Sequence, residues 1–372
     1  MNLADRLDAT INRTLADNRI VGCVVLVAQN GEIVYRAAHG LADREANRAM
    51  AEDAIFRLSS VTKPLIATTI LALADAGKIG LTDPVTDYLP DFRPRLPDGT
   101  VPPITIHHLL THTSGLPTTS ILTDAEQAAG INRWRLGDDE IIARIGTLPL
   151  LFAPGAGWAY GPSIDVLGHI AGRLVGGRPE DALKLYVTGP LGMTDTGFFI
   201  ADRARLAAAY ADGAEGPELM RDPHTIPNYW GGTTTYDPDR IFDAHAFQAG
   251  GGGAAGTAGD IFRLLESVRT GGGTVLRPET ARRAMANQTP QLADASGPGW
   301  QFSYLGAWLD DPASAQSPAS RGTNRWAGIY GHNWFIDPDR ELTVVSMSNT
   351  GLEGSDGQFR TDVRDAIYAS LD

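Results

Sequence analysis

The chain has 372 residues, 43% hydrophobic and 20% charged, enough for a large buried core and for two lobes. A formal net charge of -13 leaves no basic stripe to neutralise phosphates, which argues against nucleic acid and anionic membrane surfaces as partners and leaves small neutral or weakly charged substrates. The single cysteine, Cys23, rules out an internal disulfide framework and alternates with Val25 and Val27 as strand packing would.

The N-terminal MNLADRLDATINRTLADN places Leu3, Leu7 and Ile11 on one face of a helix with acids in its first turns. That is an amphipathic helix rather than an apolar export signal, so a cytoplasmic protein with no transmembrane span is expected. Next, VGCVVLVAQNGEIVYRAAHG reads as two strands joined by Asn30-Gly31, a dipeptide suited to the positive φ angles of a tight hairpin. PLIATTILALADAGK, ITIHHLLTH, IDVLGHIAGRLV and GTAGDIFRLLESV carry helical periodicity, whereas residues 200 to 255 are rich in Gly, Pro and Asp and show little regular pattern. Strand signals return in GPGWQFSYLGAWLDD, NRWAGIYGHNWFIDP and RELTVVSMSNT, with a turn at Asp337-Pro338-Asp339 and a closing helix near FRTDVRDAIYASLD. The expected fold class is α+β: an antiparallel sheet formed from both termini and flanked by helices, with an inserted, mostly helical lobe. The expected lobes are 1–75 with 285–372, carrying the sheet, and 76–284, mostly helical with a loop-rich cleft edge.

One of only three lysines lies in LSSVTKPL, three residues after Ser60 and directly before Pro64. Residues three apart share a helix face, so Ser60 and Lys63 present hydroxyl and amine to the same space. Proline is tolerated in the first turn of a helix, which puts Ser60 at or just before the helix N-terminus. There its N–H is free for a developing oxyanion, and the helix dipole together with burial disfavours the ammonium form of Lys63, leaving an amine able to take the serine proton. The plainer reading makes Ser60 an N-cap and Lys63 a solvated first-turn residue. The following helix, LIATTILALADAG, is apolar nearly all round, as suits a buried helix holding its first turn at a cleft.

With its flanks, FRLSSVTKPLIATTILALADAGKIGLTDPVTDYLP followed by ITIHHLLTHTSGLP resembles the serine β-lactamase and penicillin-binding-protein superfamily. More narrowly it resembles the class C β-lactamase-like esterases of carboxylesterase family VIII. APGAGWAYGPSIDVLGHIAG, VTGPLGMTDTGFF, GGGAAGTAGDIFRLL and RWAGIYGHNWFIDP agree in matching order over nearly the whole chain. The resemblance implies a β-lactamase-like fold and three motifs around one cleft. These are S-x-x-K, here Ser60 and Lys63; a tyrosine motif, here Tyr160 in WAYGPS; and a strand motif that is K-T-G or H-x-G in lactamases and peptidases and W-G-G in the esterases. The last reads Trp326-Ala327-Gly328 here, as substrate-binding strand, and Ile329 follows, whose N–H would complete an oxyanion hole with that of Ser60. Pro162 replaces an asparagine amide and Trp326 replaces a cation, and both changes favour esters over β-lactams.

The resemblance thus implies a serine carboxylesterase acting through an acyl-enzyme on Ser60, on esters of short-to-medium acyl chains, with no cofactor. A β-lactamase, a D-amino-acid-specific peptidase or amidase, an acyltransferase, and a penicillin-sensing binding module remain alternatives on the same scaffold. Among His107, His108 and His112 an i,i+4 pair could hold zinc, but no third ligand accompanies it and no metal is expected. Gly250 to Gly253 lacks the Lys-Ser/Thr of a phosphate loop and reads as a flexible turn at the cleft edge. There is no G-x-S-x-G elbow. Trp158, Tyr229-Trp230 and Phe247 are candidate pocket walls, and the oligomeric state is open.

Overall fold

The computed structural model describes residues 2–118, 121–122, 124–201, 203–228 and 231–371. Helix α1 (Leu3–Ala16), capped by the Asn2 side chain, is followed by β1 (Gly22–Gln29) and β2 (Glu32–Asp43). Asn30 and Gly31 join them at φ 53° and 82°, the left-handed pair that the dipeptide predicts. β3 (Arg48–Ala49) and β4 (Ile55–Arg57) lead into a helical turn, Ser59–Val61, and then α2 (Thr62–Asp75). The middle of the chain contributes helices at Ile106–Leu110, Asp138–Ile145, Ser163–Leu174 and Ala258–Arg269. It also holds β5 (Tyr210–Gly213), β6 (Gly216–Leu219), β7 (His224–Pro227), β8 (Thr233–Tyr236) and β9 (Ala255–Thr257). β10 (Trp300–Phe302), β11 (Ala307–Leu309), β12 (Asn324–Gly328), β13 (His332–Asp337) and β14 (Leu342–Ser348) precede the C-terminal helix, Gln358–Tyr368.

An eight-stranded sheet runs β10-β11-β12-β13-β14-β1-β2-β3, and β1 against β14 joins the two ends of the chain from Cys23↔Ser348 to Gln29↔Leu342. All its pairs are antiparallel, as expected. Side chains alternate across it. Cys23, Val25, Val27, Phe335 and Val344 meet Leu7 and Ile11 of α1 and Phe359, Val363 and Ile367 of the C-terminal helix. Val24, Trp334, Ile336, Val345 and Met347 face the larger core, where α2 is buried from Thr62 to Leu73. A helix wetted on no side cannot shift without disturbing several neighbours, so α2 is a rigid mount for whatever its first turn carries.

The irregular stretch from 200 to 255 differs from its expected lack of pattern. β5 pairs β6 and β7 pairs β8 as two small hairpins, and Tyr236, Tyr330 and Leu352 share a satellite core beside them. Strands of four residues rich in Gly, Pro, Thr and Asp carry too short an alternation to be read from sequence.

Candidate active site

Ser60 lies in the turn between β4 and α2. The Leu58 N–H donates to the Ala254 carbonyl (2.9 Å) and the Ala254 N–H to Thr62 Oγ1 (3.1 Å), tying the turn down on both sides of the serine. Ser59 takes φ 49°, a left-handed conformation costly for a residue with a Cβ, and thereby aims Ser60 into the cleft. Lys63 follows one turn later as the second residue of α2, with Pro64 next in its first turn, as the motif spacing predicts. Tyr160 comes from the loop before the Ser163–Leu174 helix, held where the Ala159 N–H donates to the His112 carbonyl at 3.0 Å.

The three side chains meet. Ser60 Oγ and Tyr160 Oη are 2.6 Å apart, and Lys63 Nζ donates to Ser60 Oγ at 3.1 Å while lying 4.5 Å from the Tyr160 ring centre. Lys63 also donates to the Gly251 carbonyl at 2.6 Å. Gly250 to Gly253 forms a turn, as expected, and it is a largely buried brace behind the lysine. A Cβ on Gly250 would stand 2.4 Å from the Ile164 carbonyl, so only glycine lets the brace approach that helix. The Gly251 N–H donates to Asp165 Oδ1 at 2.9 Å. Desolvation pushes the Asp165 carboxyl above its ordinary value, against the pull of Lys63, the Gly251 N–H, Arg133 and Arg240.

β12 brings up the third motif. A Cβ on Gly328 would fall 2.4 Å from the Leu58 carbonyl, so this glycine is the point where strand and serine turn touch. The Ile329 N–H donates to Ser59 Oγ at 3.2 Å, and Tyr236 Oη donates to the Ile329 carbonyl at 3.0 Å. Trp326 sets its ring 5.4 Å from those of Tyr160 and Phe302. Ser60, Trp158, Tyr160, Trp326, Ala327 and Ile329 line one cavity of about 560 Å³. The lining thus includes Ser60, Tyr160, Trp326, Ala327 and Ile329 from the predicted site, with Lys63 buried beneath the serine.

The remaining candidates separate. Trp158 lines the cavity, whereas Phe247 stacks on Trp134 in the larger core, and Tyr229-Trp230 lies outside the described residues. His107 pairs with the Tyr304 hydroxyl (2.8 Å), and His108 Nδ1 accepts the Thr105 N–H (3.2 Å) in a capping box. His112 packs 5.0 Å from the Tyr160 ring, and burial, then Lys63, hold it well below its ordinary value, hence neutral. Among the described residues no group of three His, Cys, Asp or Glu could hold a metal ion. Sequence reasoning missed Asp165, the Gly251 carbonyl and Ser59. For Ser59 adjacency to the serine was a signal; for Asp165 its place five residues after Tyr160, in the first turn of the helix that follows, was a weak one.

A serine hydroxyl hydrogen-bonded to a tyrosine and a lysine, at the foot of a buried helix and beside the edge of an antiparallel sheet, has the chemistry to act as a nucleophile. The chain belongs to the Beta-lactamase family, whose model matches residues 7–369. It is 45% identical over 377 residues to Esterase EstB of Burkholderia gladioli, covering 99% of this chain and 96% of that one. Acyltransferase calJ of Penicillium decumbens is 29% identical over 80% of this chain and 76% of its own. Among solved structures, "EstCE1, a hydrolase with promiscuous acyltransferase activity" superposes with a TM-score of 0.93 at 37% identity, covering 98% of each chain.

Proposed function

We propose that the protein is a serine carboxylesterase for small-molecule esters of short-to-medium acyl chains. Ser60 loses its proton to the Tyr160–Lys63 pair and attacks the ester carbonyl. The oxyanion sits between the N–H groups of Ser60 and Ile329, Tyr160 protonates the departing alcohol, and water then releases the acyl group from Ser60. The observation that carries this reading is the short Ser60–Tyr160–Lys63 chain of contacts opening onto a cavity whose wall at Trp326 is apolar, where a β-lactam carboxylate would need a cation. The similarity to Esterase EstB supports it.

The test compares kcat/KM for 4-nitrophenyl butyrate and for a chromogenic cephalosporin on one preparation, with Ser60→Ala as blank. A large ratio for the ester, abolished in the blank, is expected. A ratio favouring the cephalosporin makes the protein a β-lactamase, and Ser60→Ala at full activity sinks the mechanism. Transfer of the acyl group to an alcohol is a second outlet, favoured by the aromatic lining at Trp158, Tyr160 and Trp326, which suits an apolar acceptor over water. Added butanol should then divert product from acid to butyl ester.

A further inference from the structure

The cavity does not stop at Ser60. β11 pairs with β12 only at Asn324 and Arg325, so from Trp326 onward the edge of β12 is open, and the cavity continues past Ala327 and Asn333 to the face of the sheet covered by the C-terminal helix. Its far end is lined by Arg325, Arg360 and Arg364, with Asp356 as the one carboxylate in the lining. In a chain of net charge -13 this is a local excess of positive charge.

Two of these arginines have partners: Arg360 pairs with Asp356 at 3.0 Å and Arg364 with the solvent-side Asp365 at 2.7 Å. Arg325 has its guanidinium carbon over the Trp300 ring, 3.9 Å from the ring centre, and has no carboxylate or hydrogen-bond acceptor for its guanidinium among the described residues. A guanidinium held over an indole by cation–π attraction keeps its N–H donors for a planar anion. Burial, then Arg360, lower Arg325 to about 9, with Asp356 pulling the other way and Arg364 adding to the repulsion. Arg360 and Arg364 add a like-charge i,i+4 pair at the start of the C-terminal helix, whose first turn holds no acid. Three guanidiniums gathered at this cost are relieved by an anion between them. Ser317, Thr323, Ser355 and Thr361 add hydroxyls to the same lining.

We propose that this end of the cavity is a subsite for a carboxylate carried by the ester substrate, held by Arg325 and Arg360 while the ester carbonyl lies at Ser60. The substrates of this chain are then esters with a second, anionic end, such as half-esters of dicarboxylic acids. The proposal rests on the esterase reading for the position of the carbonyl, and on the arginines alone for the anion.

The test measures kcat/KM for neutral 4-nitrophenyl butyrate, for 4-nitrophenyl hemiesters of glutaric and adipic acid, and for 4-(butyryloxy)benzoate, on wild type, Arg325→Gln, Arg325→Lys and Arg360→Gln. At low salt at least one anionic ester is expected to exceed the neutral one by tenfold or more, an advantage that falls as sodium chloride is added. The hemiesters and the benzoate tell whether the carboxylate belongs to the acyl or the alcohol side. Arg325→Gln is expected to reduce the anionic-to-neutral ratio at least tenfold, with Arg325→Lys intermediate because it keeps charge but loses the fork. Anionic esters that are all slower than butyrate, or a preference unchanged in both glutamine variants, overturn the proposal. Calorimetric titration of glutarate into Ser60→Ala protein, with and without Arg325→Gln, reads the anion site without turnover. Glutarate binding weakened at least tenfold by Arg325→Gln, together with a wild-type protein that hydrolyses none of the four esters, would sink the esterase reading and keep the anion site; no arginine-dependent binding would sink the site.

Discussion

Tyr160 has two roles that a substitution can separate. Its hydroxyl lies 2.6 Å from Ser60 Oγ, while its ring packs on His112 and Trp326. Tyr160→Phe keeps the ring and removes the proposed proton carrier, so kcat is expected to fall by about 10²–10⁴-fold with an unchanged melting temperature. A loss below tenfold would remove Tyr160 from the relay. Ser59 gives an opposite sign. Its hydroxyl accepts the Ile329 N–H at 3.2 Å in the resting protein, in competition with the oxyanion proposed for that donor. Since a neutral hydrogen bond contributes about 0.5–1.5 kcal/mol, Ser59→Ala is expected to raise kcat/KM by up to about tenfold, and a fall would show that the hydroxyl supports the donor instead. Ser60 and Lys63 were legible because their spacing is local and a helix turns it directly into proximity. Tyr160, about a hundred residues away, was legible through the resemblance, and Asp165 acts through a backbone amide of a distant glycine, which leaves no pairwise pattern to read.

At the scale of elements, the site depends on how closely β12 approaches the turn before α2. Gly328→Ala would place a methyl group 2.4 Å from the Leu58 carbonyl, and backbone on both sides has little room to yield. It is expected to cost about 1–3 kcal/mol and to lower kcat by displacing Ile329 from the serine. Denaturant unfolding and kinetics measured on the same sample check both; full activity with lost stability would show that strand and turn move together. The buried character of α2 could be read from its lack of a polar face. The β5–β8 hairpins could not, yet β8 supplies Tyr236, whose hydroxyl holds the Ile329 carbonyl at 3.0 Å. Their stability comes from packing against Tyr330 and Leu352, which are distant in sequence.

Over the whole molecule, the sheet closes by pairing its first strand with its last, so its stability draws on groups from both ends of the chain. His332 on β13 is buried against Phe56, its Nε2 2.9 Å from the Arg57 carbonyl, and burial lowers it to about 4. Its folded value lies below the unfolded one, so the unfolded chain binds a proton first as pH falls. The stability of the neutral ring is therefore complete above about 6.5 and is lost progressively toward about 4. Between pH 7.5 and 5 this group alone is expected to cost about 2 kcal/mol. His107, also lowered to about 4, acts in the same direction. Urea unfolding at both pH values should show a shallower pH dependence for His332→Gln than for wild type; parallel slopes would exclude His332 as the source.

Sequence by itself determined the α+β class, the strand-bearing ends, the Asn30-Gly31 hairpin, the buried α2 and the Ser60–Lys63 pair. Each of these is written in periodicity, turn chemistry or a spacing of a few residues, which local geometry converts into structure without reference to the rest of the chain. Tertiary structure alone decided that Gly251 and Asp165 stand behind Lys63, that Ser59 holds the Ile329 N–H, and that three arginines meet at the far end of the Ser60 cavity. Those arrangements join segments that register and packing bring together, and the energy that selects them lies in contacts between residues no local pattern relates.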